Sequence, residues 1–530
     1  MADLERKPKA GITMPAAGPR NRYLADSVYP IAHGRCDQQD NDVAIGPTGP
    51  TETLAEADMT YAPVGAGHFG SAISSPYPDG KRVIWSNGRE QICKLDYDTM
   101  EILATLPVPG YTVTPTADFE AAIDTLDASE GDDAINHALG LALTYLQGID
   151  GVYFVLDADN TLFLGGREAV SAFADDFTDR HSPIVERGRW EKPPEVTGHF
   201  AGAGMTFDGR LVMSTDHGWL VCLDRDFNEY VAIQITGAEH EAQAWTEKML
   251  AERGNGGYGW VRTSICTEDL GDGRTAVYLS SRDHTHKIIW TGSELSTNEA
   301  DGAWVAQYSN SAGYGSGTTP CLMGFGDEDK FVVIGDGDEV VNITLLWRDE
   351  IPDDWEQLPN APSRRIAGMG PANMGNPDLA AIQTEQSITV SGYGALTVNN
   401  EPATIPDGYP PQGARLFVGF LGAKPEYTPH GLHKYEWDPE AGQFREAWVN
   451  TEVSSPNAVP YVSQGADLVY TCGARDGKWT IEALDWTTGE AAFHYVLGGN
   501  KYNSMFAGVT LDEEGRVLMG TMFGKVRIER

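Results

Sequence analysis

The feature that most constrains this chain is a short unit that returns along it, in which an apolar run ends on an aspartate and turns back into a second run. It reads Lys94-Leu95-Asp96-Tyr97-Asp98-Thr99-Met100-Glu101, then Cys222-Leu223-Asp224-Arg225-Asp226-Phe227, then Tyr435-Glu436-Trp437-Asp438-Pro439-Glu440-Ala441-Gly442, and last Leu484-Asp485-Trp486-Thr487-Thr488-Gly489-Glu490. The Asp side chain takes the first position of a turn, Thr or Gly closes it, and a new strand starts. Asp208-Gly209 between Met205-Thr206-Phe207 and Arg210-Leu211-Val212 is a strong hairpin signal, because Gly accepts the positive φ of a tight turn. Residues 155–163 and 509–518 read the same way. One such hairpin pair cannot cover both its faces, whereas repeats of about 50 residues closed into a ring can. The expectation is an all-β fold, a single β-propeller of seven four-stranded blades, with eight as the alternative, and helical insertions.

Residues 1–60 are rich in Pro, Gly, Asp and Thr and are expected to form an extended arm packed on the body, or to be partly disordered; residues 61–530 are expected to form the propeller. Two stretches break the β pattern. In 114–147, Phe119, Ile123 and Leu126, then Ile135, Leu139, Ala142 and Leu146, recur at helical spacing. Thr114 is the expected cap of the first half, with Pro115 at the first helical position, and Ser129 that of the second. Residues 238–253 carry Ala242, Trp245 and Met249 on one face, with Gly254 as the stop. Either insertion could form a lid over the channel or pack on the side.

The last repeat, Leu484-Asp485-Trp486-Thr487-Thr488-Gly489-Glu490, resembles that of quinoprotein-like (PQQ-like) propellers. Gly315-Ser316-Gly317-Thr318-Thr319-Pro320, followed by an Asp-rich turn, a Glu-containing segment and an Asn pair, is similar to a group of bacterial and fungal propellers, over about residues 260–400. Quinoprotein dehydrogenases carry adjacent cysteines near the cofactor, which this chain lacks, so PQQ is not the expected cofactor.

Acidic residues outnumber basic ones 77 to 38, a net charge of -39, which disfavours nucleic acid and anionic membrane as partners. The six cysteines are far apart and form no CxxC pair, so buried free thiols are expected. The first residues have no apolar signal core, and no run is long enough to span a bilayer; a cytoplasmic protein is expected. Phosphate-loop, GxSxG and HExxH motifs are absent.

A propeller gathers its loops at the central channel, where a small organic substrate would bind. The spread of Asp, Glu and Asn over successive blades resembles the metal site of lactonase-type propellers similar to gluconolactonase. That resemblance implies Asp336, Glu385, Asn400 and Asn457 as oxygen ligands to a divalent cation such as Ca2+, which would polarise an ester carbonyl or activate water. His217 beside Asp216 is the expected general base, with His68 a further catalytic candidate. Tyr314, Thr318, Thr319, Ser455 and Asn503 are the expected substrate contacts. Three alternatives stand beside a metal-assisted hydrolase or lyase: a binding or scaffold propeller without catalysis; an iron or copper site built from His68, His217, His284, His286, His430 and His433, with iron in the manner of carotenoid-cleaving propellers, whose motifs the chain does not show; and a quinone-dependent oxidoreductase.

Overall fold

Eight antiparallel sheets form the body of the computed structural model, which describes residues 8–32, 34–146, 148–235, 261–382, 384–405 and 414–530. Each sheet is one blade. Their innermost strands begin at Ala72, Phe154, Phe200, Cys266, Cys321, Thr389, Tyr461 and Val509, which defines blades 1 to 8. Blade 8 is assembled from both ends of the sequence: strands Val509–Leu511, Val517–Gly520 and Lys525–Ile528 are completed by Met59–Ala62, so the last turn of the chain is hydrogen-bonded to the first. The count is therefore eight, and the ring is closed by this shared blade.

The hairpin turns behave as their chemistry dictates. Gly209, Gly489 and Gly515 take positive φ angles of 93°, 74° and 73°. Apolar clusters lie between neighbouring blades: Val83, Trp85 and Ile92 meet Phe154, Leu156 and Leu162 between blades 1 and 2, and Val333, Ile343 and Leu345 meet Val390, Ala395 and Trp437 between blades 5 and 6. Buried cations tie blades together as well. Lys94 of blade 1, fully buried, pairs with buried Asp175 of blade 2 and donates to the Ser182 carbonyl at 2.9 Å. All six cysteines are free and buried.

The N-terminal arm does not lie on the outside. From residue 21 it follows the propeller axis and meets the inner edges of seven blades. The Asn21 amide donates to the Met205 and Thr206 carbonyls of blade 3. Ala32 N–H donates to the Phe154 carbonyl of blade 2, and Ile73 N–H of blade 1 donates to the Tyr29 carbonyl. The inner strands of blades 4, 5, 6 and 7 then each donate one N–H to the arm: Thr267 to Cys36, Leu322 to Asp37, Val390 to Gln39 and Val462 to Asp40, at 2.9–3.0 Å. An innermost strand has no further strand to pair with, so its inward amides need acceptors, and the arm carbonyls supply them. Asp37, Gln38, Gln39, Asp40, Asn41 and Asp42 are consequently at most 6% exposed. Asn41–Asp42 and Glu52–Thr53 also add short parallel strands to the two edges of blade 7.

The insertion at 114–147 is helical: α1 (Thr116–Ala128), α2 (Gly131–Leu141) and a wider turn over Ala142–Leu146. Its caps differ from expectation. Thr114 spends its hydroxyl and its N–H on Glu90, so Pro115 precedes α1 without a side-chain cap. Ser129 donates to the Thr125 carbonyl instead of capping α2. The buried face of α2 is Ala134 and Ala138, continued by Ala142, while Leu139 is 37% exposed; the close approach of α2 to its neighbours favours the small side chains. A third helix, α3 (Ala414–Leu421), lies between the second and third strands of blade 6. Phe119, Leu126 and Ala138 share one apolar cluster with Phe420, Leu421 and Met505, so these insertions form one layer on the face where the innermost strands begin. The expected helix at 238–253 lies outside the described residues. Among the described residues no helix is long and apolar enough to cross a membrane.

Candidate functional site

The loops that lead into the innermost strands make the mouth of the axis, above the arm. Most of their polar side chains link one blade to the next. Ala203 N–H donates to Ser264 Oγ (3.3 Å), Ser264 N–H to Thr319 Oγ1 (3.2 Å), and Thr319 N–H to Ser387 Oγ (3.1 Å), a relay from blade 3 to blade 6. Thr318 Oγ1 accepts from Gly335 N–H and meets Ser316 Oγ. Ser455 Oγ meets Thr471 Oγ1. Asn503 donates to the Gly419 carbonyl at 2.7 Å and accepts from Asn457 at 3.1 Å. Thr319 and Asn503 thus link neighbouring blades, while Thr318 and Ser455 spend their hydroxyls inside blades 5 and 7. Tyr314, half-buried, contributes its carbonyl to Arg262.

The four expected metal ligands occupy separate hydrogen-bonding roles. Asp336 is buried and accepts from Asp338 N–H, Asn342 N–H and the Asn342 amide; burial raises its carboxyl to about 7. Both carboxylate oxygens of Glu385 accept from Arg262 Nη2, at 2.5 and 2.6 Å. Asn400 Oδ1 accepts from Thr384 Oγ1 and Glu385 N–H, and its Nδ2 donates to the Pro456 carbonyl. Asn457 Oδ1 accepts from Ser504 Oγ. Each of these oxygens already serves a protein donor, and among the described residues no group of three His, Cys, Asp or Glu side chains could hold a metal ion. The residues present do not fit a divalent cation shared by the four.

The histidines do not converge either. His217 is exposed, and the Asp216 carboxylate accepts from the His199 amide at 2.7 Å, with no hydrogen bond to the His217 ring. His68 is fully buried beside Ser86 Oγ (2.8 Å) and Cys93, and desolvation with the neighbouring Lys525 holds its imidazole well below the ordinary value. His284 faces Asp283, His286 faces Ser281 and His433 faces Glu446, each within its own blade.

What the mouth presents instead is Arg262. Its guanidinium is gripped by Glu385 and donates to the Tyr314 carbonyl at 3.1 Å, and its side chain is 13% exposed. The glycines of the Gly315-Ser316-Gly317 turn make this approach feasible: a Cβ on Gly317 would stand 2.6 Å from the Thr384 carbonyl and 2.9 Å from the Glu385 carboxylate. Arg262 borders a cavity of about 390 Å³ whose walls include Asp150, Tyr153, Arg167 and His199. Burial raises the Tyr153 hydroxyl, which Thr319 hydrogen-bonds. A second cavity of about 350 Å³ between blades 1 and 2 shares Gly148, Asp150, Gly165 and Arg167 with the first and adds the apolar side chains of Ile92, Leu106 and Phe173. Arg262, Arg167 and Tyr153 were not singled out from sequence. The usable signal was an arginine directly before Thr263-Ser264, in the loop leading into the blade 4 inner strand, in a chain poor in basic residues.

No family model matches the chain. It is 28% identical to an uncharacterized protein of Archaeoglobus fulgidus, over 97% of this chain and 89% of the relative. Among solved structures it is similar to quinohemoprotein alcohol dehydrogenase from Comamonas testosteroni, with a TM-score of 0.52 and 11% identity over 94% of this chain and 80% of that one. The Dos1 propeller aligns with a TM-score of 0.47 and 8% identity, over 89% of this chain and 94% of that one. At these identities the likeness to the dehydrogenase concerns the fold, and the chain is a multi-blade β-propeller.

Proposed function

We propose that the protein takes a small organic carboxylate into the cavity at the mouth of its axis. The observation that carries this reading is Arg262, a guanidinium on the cavity wall that a carboxylate partner and a backbone carbonyl hold in one orientation, with Arg167 on the same wall. A planar guanidinium recognises carboxylates in a fixed geometry, and its charge-assisted hydrogen bonds are stronger than neutral ones. The arm fills the axis below, so a ligand enters from the mouth.

Titration calorimetry of the full chain against mono- and dicarboxylates and their lactones tests this. One class should bind, and Arg262→Gln should weaken it about tenfold or more, the effect of losing a hydrogen bond to a charged group. Failure of every such ligand to bind sinks the reading. Equal binding by the variant moves the site elsewhere.

A hydrolase or lyase acting on that bound molecule is the second reading. It is favoured by Glu385 and Tyr153, a carboxylate and a hydroxyl at the same mouth, one to take a proton and the other to give one. In that case Tyr153→Phe removes turnover of the lactone or ester while binding persists.

A further inference from the structure

A further cavity lies away from the axis, between α1 and the edges of blades 7 and 8, and it has a volume of about 260 Å³. Its walls are aromatic. Tyr61 and Tyr502 meet edge to face with ring centres 6.3 Å apart, and Phe119 stacks on Phe523 at 4.4 Å. Phe119, Phe523 and Tyr502 are at most 9% exposed, so the walls are fixed by packing. Carboxylates of Glu56, Glu120 and Asp124 stand around the cavity.

An ammonium already rests there. Lys501 Nζ sits 4.6 Å from the centre of the Tyr61 ring and 5.8 Å from that of Tyr502. No carboxylate among the described residues lies within ion-pairing distance of it, so its local attraction is to the ring faces. The turn that carries it is held independently: Asn500 bonds Asp127 through its amide groups and accepts from Trp479 Nε1. Lys501 can therefore swing out to water without undoing the turn.

We propose that this cavity is a binding site for a small organic ammonium ion, with Lys501 as its resident placeholder. Aromatic faces attract a cation through their quadrupole, and a quaternary ammonium, being weakly hydrated, gains more from them than a lysine that must leave water to get there. The surrounding carboxylates set the sign of the field without forming a specific pair with the ligand. The site is independent of Arg262, about which it says nothing.

The experiment is titration of the full chain with choline at low salt. The wild type should bind weakly, because the ligand displaces Lys501. Lys501→Met should bind about tenfold tighter, and adding Tyr61→Leu to it should abolish the gain. The uncharged isostere 3,3-dimethylbutan-1-ol should not bind either protein. Equal affinity of wild type and Lys501→Met, or equal binding of the uncharged isostere, overturns the proposal. A readout that needs no variant is the acylation rate of Lys501 in the wild type, which should rise when tetramethylammonium is added; an unchanged rate also counts against displacement.

Discussion

The axis and its mouth are built from the same kinds of residue and use them differently. In the axis, six consecutive polar residues, Asp37 to Asp42, are nearly sealed from water, and the arm's carbonyls are taken by amides from blade after blade. At the mouth, Arg262 and Glu385 pair with each other and keep 13% and 26% of their side chains exposed, and Arg262 lines a cavity. In the axis the polar groups act as mortar between blades; at the mouth an arginine held by protein partners also faces a cavity. A propeller's centre is thus not a site by virtue of being central, and here its lower part is structural.

The largest effect that would break this contrast is removal of the arm. A chain lacking residues 1–46 loses the acceptors of Thr267, Leu322, Val390 and Val462 along with the buried arm side chains, and should be destabilised by at least about 4 kcal/mol by denaturant titration. A change near zero would mean that the arm only rests in the axis. Next comes Lys94→Met, which strands buried Asp175 between blades 1 and 2 and should cost about 3 kcal/mol. A loss under 1 kcal/mol would show the pair to be dispensable.

Asp336 sharpens the contrast through pH. Burial raises its carboxyl to about 7 in the folded chain against 3.8 for the free group, so the folded state binds more protons than the unfolded one between those values. Stability from this group is full below about pH 4 and is lost as pH rises through 7. Asp336→Asn should flatten that part of the stability profile, whereas an unchanged slope between pH 4 and 7 would mean another group sets it. The smallest effect is expected at Lys9, 45% exposed, which pairs with Asp467 and Asp485 before the arm enters the axis. Lys9→Ala should cost at most about 1 kcal/mol, and a larger loss would extend the structural part of the arm outward.

The blades were legible because strand alternation and Asp- or Gly-centred turns are local signals. Their number was not, for three physical reasons. The outer edge of blade 4 is split between Leu295–Ser296 and Trp304–Gln307, blade 6 is interrupted by the α3 segment, and blade 8 draws its outer strand from residues 59–62. The arm's path along the axis was not legible, since composition cannot show that inner strands of blades far along the chain will offer it hydrogen bonds. Thr318, Thr319, Ser455 and Asn503 read as ligand contacts because loop position is visible in sequence while the hydrogen-bond partner, within the blade or across its boundary, is not. Arg262 stayed hidden for the converse reason: its importance comes from Glu385, 123 residues away.

Amide hydrogen exchange of the full chain at Leu322, Val390 and Val462 tests the central claim most directly. If arm carbonyls accept these amides along the axis, all three should exchange as slowly as amides in the middle of the blades. Rapid exchange there, with the blades themselves protected, would mean an open channel and would contradict the division between a filled axis and a binding mouth.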